Sequence, residues 1–560
     1  MPRPSRSAKK RKARKPVCRK TTVKPKRASN KRAAKKQRAA ARCRAPVKRA
    51  ARRRTTPKKR PVVRRPPSTT HPSLPSLPAD TPVPGLPPVD TPPPPPPPPD
   101  PPPSDPPPAG VHRYNGPFGI EQATRLLWRA GFGPRRGEAA HYAALGLDGA
   151  VAALTRASGA AQLIGPEPYA QNPDGGGYEP IQPGVRFEHD HLHWMDRMVR
   201  STQPFVERMA LLWHDWFGVS DDNVGQYTLL ARHIDLFRAH GRGSFRDLAR
   251  LVMQDGAMLV RLDGVFSQRH RPNENFAREL MELFTLGPDR GAYTERDIRE
   301  AARGLTGWSG DFHQPNGWAH FYFDAQWHDT TTKRIFGVVD DYDPDDVVDA
   351  CVTHQLHPSF FVLKLWSAFV ATPPPADQRV ALERLYIERG HAVLPVVEAI
   401  LKHPAVYEGP PLVKSPVVYA AGLLRALGSG IQTIGWTGIT ANAGQRLHYP
   451  PNISGWREDR WLDTSTLHAR WELAGLALDP HALDGSSPYP AQETPAEAVA
   501  MALRFWDDPP LRGDTVEILV ETAGRLAQVA DGNLPPQGRN ALRQTILRHL
   551  VIASPDGQVC

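Results

Sequence analysis

Beyond residue 116, apolar residues recur at three- and four-residue spacing over most of the chain, the periodicity of helices that bury one face. The sharpest case spans residues 272–287. At 100° per residue, Phe276, Ala277, Leu280, Met281, Leu283 and Phe284 share one arc, and Asn275, Arg278, Glu279 and Glu282 fall on the other side. Pro272 and Asn273 suit the start of this helix. Gly287 and Pro288 suit its end, because glycine accepts a left-handed cap and proline cannot continue the helix. Similar patterns predict helices over 120–130, 136–145, 149–156, 187–201, 204–217, 226–240, 244–255, 294–305, 345–355, 358–370, 377–389, 393–403, 415–427, 494–505, 514–529 and 537–552. Residues 158–185 are rich in Gly, Pro and Asn and predict a long loop. Strand-like alternation is confined to 320–327, a candidate hairpin arm. The predicted class is mainly α: a multi-helix globular domain with little strand, preceded by a long disordered N-terminal region.

The polar side of the 272–287 helix admits two readings. In one it is a solvated face on which Arg278 meets Glu274 and Glu282 at i,i±4 spacing, worth about 0.2–0.5 kcal/mol per pair. In the other it lines an internal cleft in which Glu279 and Glu282 act as working carboxylates beside Arg278, with Asn275 as a ligand-binding group. Glu207 and His214 share a face of the 204–217 helix, about 10.5 Å apart along the axis, too far to hold one metal ion together. Each can meet the 272–287 helix if the two pack side by side. His214 then serves either as acid/base, tuned by Glu279 or Glu282, or as a hydrogen-bonded core histidine.

Other clusters carry less. His189 and His193, at i,i+4, place two imidazoles on one helix face and make the candidate site for a divalent metal; the alternative is an exposed polar helix start. Residues 340–346 (DDYDPDD) superficially resemble a calcium loop, but Asp346 stands where glycine is required. Asp343 as helix N-cap with Pro344 at the first helical position explains them better. Lys414 and the turn carrying Asn452 and Trp456 are candidate ligand-binding positions. With Trp308 and Trp461, Asn452 and Trp456 form a possible stacking platform for a sugar-like or aromatic ligand, or plain packing. No nucleophile elbow, phosphate-binding Gly-Lys loop, dinucleotide fingerprint or His-Glu-x-x-His motif is present.

Charge changes the picture of the whole chain. Of 72 Lys and Arg, 30 lie in residues 1–66, which hold no Asp or Glu; the remainder carries 42 basic against 57 acidic residues. The pI of 9.7 is therefore a property of the N-terminal arm. Such an arm cannot bury apolar surface, and it offers nucleic acid or another polyanion a salt-dependent partner without aromatics for base stacking. Residues 66–110 hold 23 prolines, eight of them consecutive. In polyproline II they make a spacer on the order of 140 Å long. Four cysteines show no Cys-x-x-Cys spacing, which argues against a disulfide framework or a thiolate zinc site. No run reaches the ~18 apolar residues of a membrane span, and no apolar stretch follows the basic N-terminus; a cytoplasmic location is favoured over an envelope-associated one.

The segment NENFARELMELFTLG, followed by YTERDIREAARGLTGW (293–308), resembles the signature of the bacterial family called domain of unknown function 1800. The resemblance extends through LLWRAGFGP (126–134), ERMALLWHDWF (207–217), HPSFFVLKLWSAFV (357–370), VKSP (413–416) and GQRLHYPPNISGW (444–456). It implies a fold and no particular reaction, and for many members it implies export. The organisation expected is a basic arm (1–66), a Pro-rich spacer (67–115), a helical family domain (116–480) and a C-terminal helical extension (481–560). Two functions fit. One is acid/base or metal-assisted hydrolysis, in a polar cleft, of an unknown substrate, for which a polymer fits the arm and spacer. The other is a scaffold that joins a polyanion to a protein partner; whether the chain is an enzyme stays open.

Overall fold

The computed structural model describes residues 109–171, 177–314, 317–529 and 534–560, and the readings for the basic arm and most of the spacer lie outside the described residues. Within them the chain is mainly α-helical with three short antiparallel hairpins. Helix starts follow local chemistry: Ser244, Asp255, Asn273, Thr294, Asp343, Asp463 and Thr494 each accept a backbone N–H of the first turn. Asp343 and Pro344 take the N-cap and first-turn places expected of them.

The helices His189–Arg200, Pro204–Phe217 and Tyr227–His240 surround a core of large aromatics that includes the fully buried Trp194, Trp213 and Trp216. The predicted 272–286 helix is two pieces. Glu274–Glu279 is α-helical, and Leu280–Thr285 widens into a π-helix in which Leu286 N–H donates to Met281 O at 2.8 Å. The end of this helix leaves carbonyls for side-chain donors. Trp216 Nε1 donates to Phe284 O (3.1 Å), and Lys364 Nζ donates to Leu283 O and Trp216 O (3.3 Å each). Gly287, at φ +88°, ends the element as expected.

Several elements escape the periodicity. The helices Gly435–Asn442 and Thr464–Leu478 lie where no helix is predicted. The second buries Ala469, Leu473 and Ala477 while exposing Leu467 and Trp471, so its apolar stripe is blurred. The hairpin arm is real but displaced: Gly317–Phe323 pairs antiparallel with Trp308–His313. Further along, Val559 bridges Val413, and Arg470 ties the two segments by donating to Lys414 O (2.6 Å) and Gln558 Oε1 (3.1 Å).

Candidate functional site: a carboxylate cavity on the central helix

The Pro204–Phe217 helix presents different faces to different neighbours, and the loop that follows Gln445 lies along one of them. Two glycines permit the close approach. Gly218 ends the helix at φ +55°, and a Cβ there would collide with the Ile453 backbone. Gly455, at φ +91°, leaves no room for a Cβ beside the Asp215 carboxylate. The neighbouring Trp456 N–H therefore reaches Asp215 Oδ1 at 2.7 Å.

This contact forms one wall of a cavity of about 270 Å³ lined by Arg208, Asp215, Gln445, Trp456, Glu458 and Trp461 together with apolar side chains. Both carboxyls in it hold their protons unusually well. Burial raises Asp215 to about 6, against the opposing pull of the Trp456 N–H, Lys364 and Arg208. Burial raises Glu458 to about 7, with repulsion from Asp215 adding to it and Arg208 opposing it. Glu458 is exposed to solvent, yet protein hems it in on most sides because the surface there is concave. Solvent softens the penalty, and the direction of the shift remains upward. The indole N–H groups of Trp456 and Trp461 are buried and have no partner among the described residues.

On the other side of Trp456 lies a histidine cluster. His214 is fully buried and packs against Trp456 (5.5 Å between ring centroids), Trp194 (5.2 Å), His448 (5.9 Å) and His233 (6.5 Å). Burial, then His448 and His233, hold it well below its ordinary value, so it is neutral. The groups acting on its charge are these histidines, and neither Glu279 nor Glu282 is among them. The expected partnership between His214 and the 272–287 carboxylates is thus not formed. The two helices do pack together, but through Trp216 and Phe217 against Phe284.

The remaining predicted residues fall in several places. Glu207 is buried and accepts from Trp194 Nε1 (3.1 Å), Arg197 Nε (3.1 Å) and Arg238 (2.8 and 2.9 Å). Burial works to raise its carboxyl, but the two guanidiniums outweigh it and the net shift is downward. It is a fixed anion holding three helices together. Glu279 and Glu282 are half-buried neighbours on consecutive helical turns, and their carboxylates carry no side-chain partner among the described hydrogen bonds. Burial raises Glu279, with Glu282 adding to it and Arg261 opposing. Arg278 pairs with Glu295 (2.8 Å), not with Glu274 or Glu282, and Asn275 is exposed.

Lys414 is buried, donates to Gly557 O (2.8 Å) and lies over the Trp128 ring; burial lowers it to about 8. Trp456 and Trp461 meet in the cavity. Asn452 instead turns outward and accepts from Ser454 N–H, and Trp308 sits on the hairpin beside Phe323. His189 Nδ1 accepts from Gln182 N–H. Neither His189 nor His193 belongs to the group of three ligands whose donor atoms converge among the described residues, which is Asp311, His313 and His320. Asp215 and Glu458 were missed. Both adjoin aromatic motifs, Asp215 directly after His214 and Glu458 two residues beyond Trp456, but no spacing along the chain links them.

Fold and site together define a helical protein with an acidic, tryptophan-walled cavity on its central helix. The chain belongs to the family described as protein of unknown function, DUF1800, whose profile matches residues 125–559. No curated protein matches the chain, and no solved structure does.

Proposed function

We propose that the cavity is an acid/base hydrolytic site and that it receives one hydroxylated, sugar-sized group of its substrate. The observation that supports this most is the pair of carboxyls in one concavity, one held near pH 6 and the other near pH 7. Both are raised by burial, and repulsion from an ionised Asp215 favours the protonated form of Glu458, which divides the pair into a base and an acid. At neutral pH Asp215 is largely ionised and accepts a proton from the attacking water. Glu458 retains its proton for much of the time and delivers it to the leaving oxygen. The water oxygen bonds to the electrophilic carbon as the bond to the leaving group breaks, and the protons balance between the two carboxyls. Arg208 lies against both acids and offsets the charge left on the pair. Trp456 and Trp461 supply apolar faces and two unpaired N–H donors, the mixture that suits a hydroxylated ring.

The test is hydrolysis of a broad panel of glycosides and esters by the full chain and by Glu458→Gln, Asp215→Asn and Glu279→Gln. The reading expects turnover to fall by about 100-fold or more in the first two and to persist in the third. Loss only in Glu279→Gln moves the chemistry to the 272–287 helix. Unchanged turnover in Glu458→Gln and Asp215→Asn sinks the reading.

A further inference from the structure

The Trp308–His313 and Gly317–Phe323 hairpin carries a feature independent of the carboxylate cavity. Its register runs Ser309 opposite Tyr322 and Asp311 opposite Ala319, so one extra residue is accommodated beside Gly310. In an unbroken strand, Trp318 and His320 share a face. Here Phe321 takes that inner place. A Cβ on Gly310 would meet the Phe321 and Trp318 rings, and a Cβ on Gly256 would meet Phe321. Gln226 clamps the strand edge at Trp318, accepting from its N–H (2.9 Å) and donating to its C=O (3.0 Å).

His320 is displaced to the outer face, with its backbone at φ +47°, a conformation uncommon for a residue with a side chain. Bulges re-aim side chains in this way. The outer face already carries Asp311 and His313, two residues apart on the partner strand, opposite the small Ala319 and Gly317. His320 Nδ1 comes to 3.7 Å from Asp311 Oδ2, and one donor atom from each of Asp311, His313 and His320 lies within 4.8 Å of the others.

We propose that Asp311, His313 and His320 bind a divalent transition-metal ion of the zinc class. Two imidazoles and a carboxylate are the donors that such ions prefer to hard oxygen-only sets. Three protein ligands on an open face leave a coordination position for water or an external ligand. The bulge gives the site its physical rationale, since it turns a histidine away from the apolar inner face towards an otherwise two-ligand pair. Bound metal would cross-link the two strands beyond the Gln226 clamp and stabilise the hairpin.

The full chain, stripped with chelator, is titrated with zinc by calorimetry and with cobalt(II) by visible absorbance, beside His313→Ala, His320→Ala and Asp311→Asn. The three side chains sit on the outer face of the hairpin, so the metal-free variants should melt with the wild type. The proposal expects one zinc equivalent in the wild type to bind more than about tenfold more weakly in each variant, with the cobalt spectrum lost alongside it. It also expects zinc to raise the melting temperature of the wild type alone. Equal stoichiometry, affinity and spectrum in His320→Ala and Asp311→Asn would overturn it, because any metal bound would then be held by other histidines.

Discussion

At the scale of single residues, the partners that meet a buried carboxylate decide which way its proton affinity moves. Glu207 is the more deeply enclosed, but two guanidiniums and an indole N–H satisfy it, so it stays charged. Glu207→Ala would strand Arg238 and Arg197 without their anion and is expected to cost about 3–5 kcal/mol, measured by urea unfolding. Asp215, with one backbone N–H, and Glu458 are compensated less, and burial raises both above the ordinary carboxylate range. Their pH signature follows from the sign of the shift. Activity should rise as Asp215 ionises near pH 6 and fall as Glu458 loses its proton near pH 7, a narrow bell whose alkaline limb disappears in Glu458→Gln along with most turnover. Stability carries the same information. Both folded-state pKa values lie above the ordinary carboxylate range near 4. Between about pH 4 and 7 the folded state therefore binds more protons than the unfolded state, and this pair lowers stability as pH rises. Glu458→Gln should flatten that decline in thermal melts taken across the interval, and an unchanged slope would count against the raised value.

At the scale of elements, the site depends on a loop lying unusually close to a helix. Gly218 and Gly455 are the two positions where the backbone of one meets atoms of the other. Gly455→Ala imposes both a strained φ and a collision with Asp215. It is expected to destabilise the protein by about 1–3 kcal/mol and to displace Trp456, read as a changed tryptophan emission and a lowered melting temperature. Some of this element-level design is legible along the chain. The Asn273 and Asp343 caps, the Gly287 stop and the extents of the 204–217 and 226–240 helices all follow from local chemistry. The π-helical turn at Leu280–Thr285 does not. A wheel drawn at 100° per residue assumes i,i+4 bonding throughout, and the wider turn breaks that assumption just where Trp216 and Lys364 meet the last-turn carbonyls. The i,i±4 partners assigned to Arg278 fail for a related reason: Glu295, from the following helix, offers a bidentate contact that the helix cannot supply to itself.

At the scale of the whole molecule, the chain joins an acidic remainder to an N-terminal stretch of 30 cations. We propose that this stretch tethers the body to a polyanion. Deleting residues 1–66 should abolish salt-sensitive retention on heparin or DNA while leaving hydrolysis of small substrates intact; retention that survives the deletion removes the role. No helix among the described residues is long and apolar enough to cross a membrane. Composition, helical periodicity, capping and the two-sided character of the 272–287 segment are properties of neighbours in the chain, so the sequence alone determined the mainly helical class and the family. The candidate site is of another kind. Asp215 and Glu458 are 243 residues apart, and their altered proton affinity exists only because packing surrounds both with protein. The same holds for His320, whose direction is set by a bulge and not by its place in an alternating strand. Desolvation and long-range approach are created by tertiary structure, and only that structure decided where the chemistry could lie.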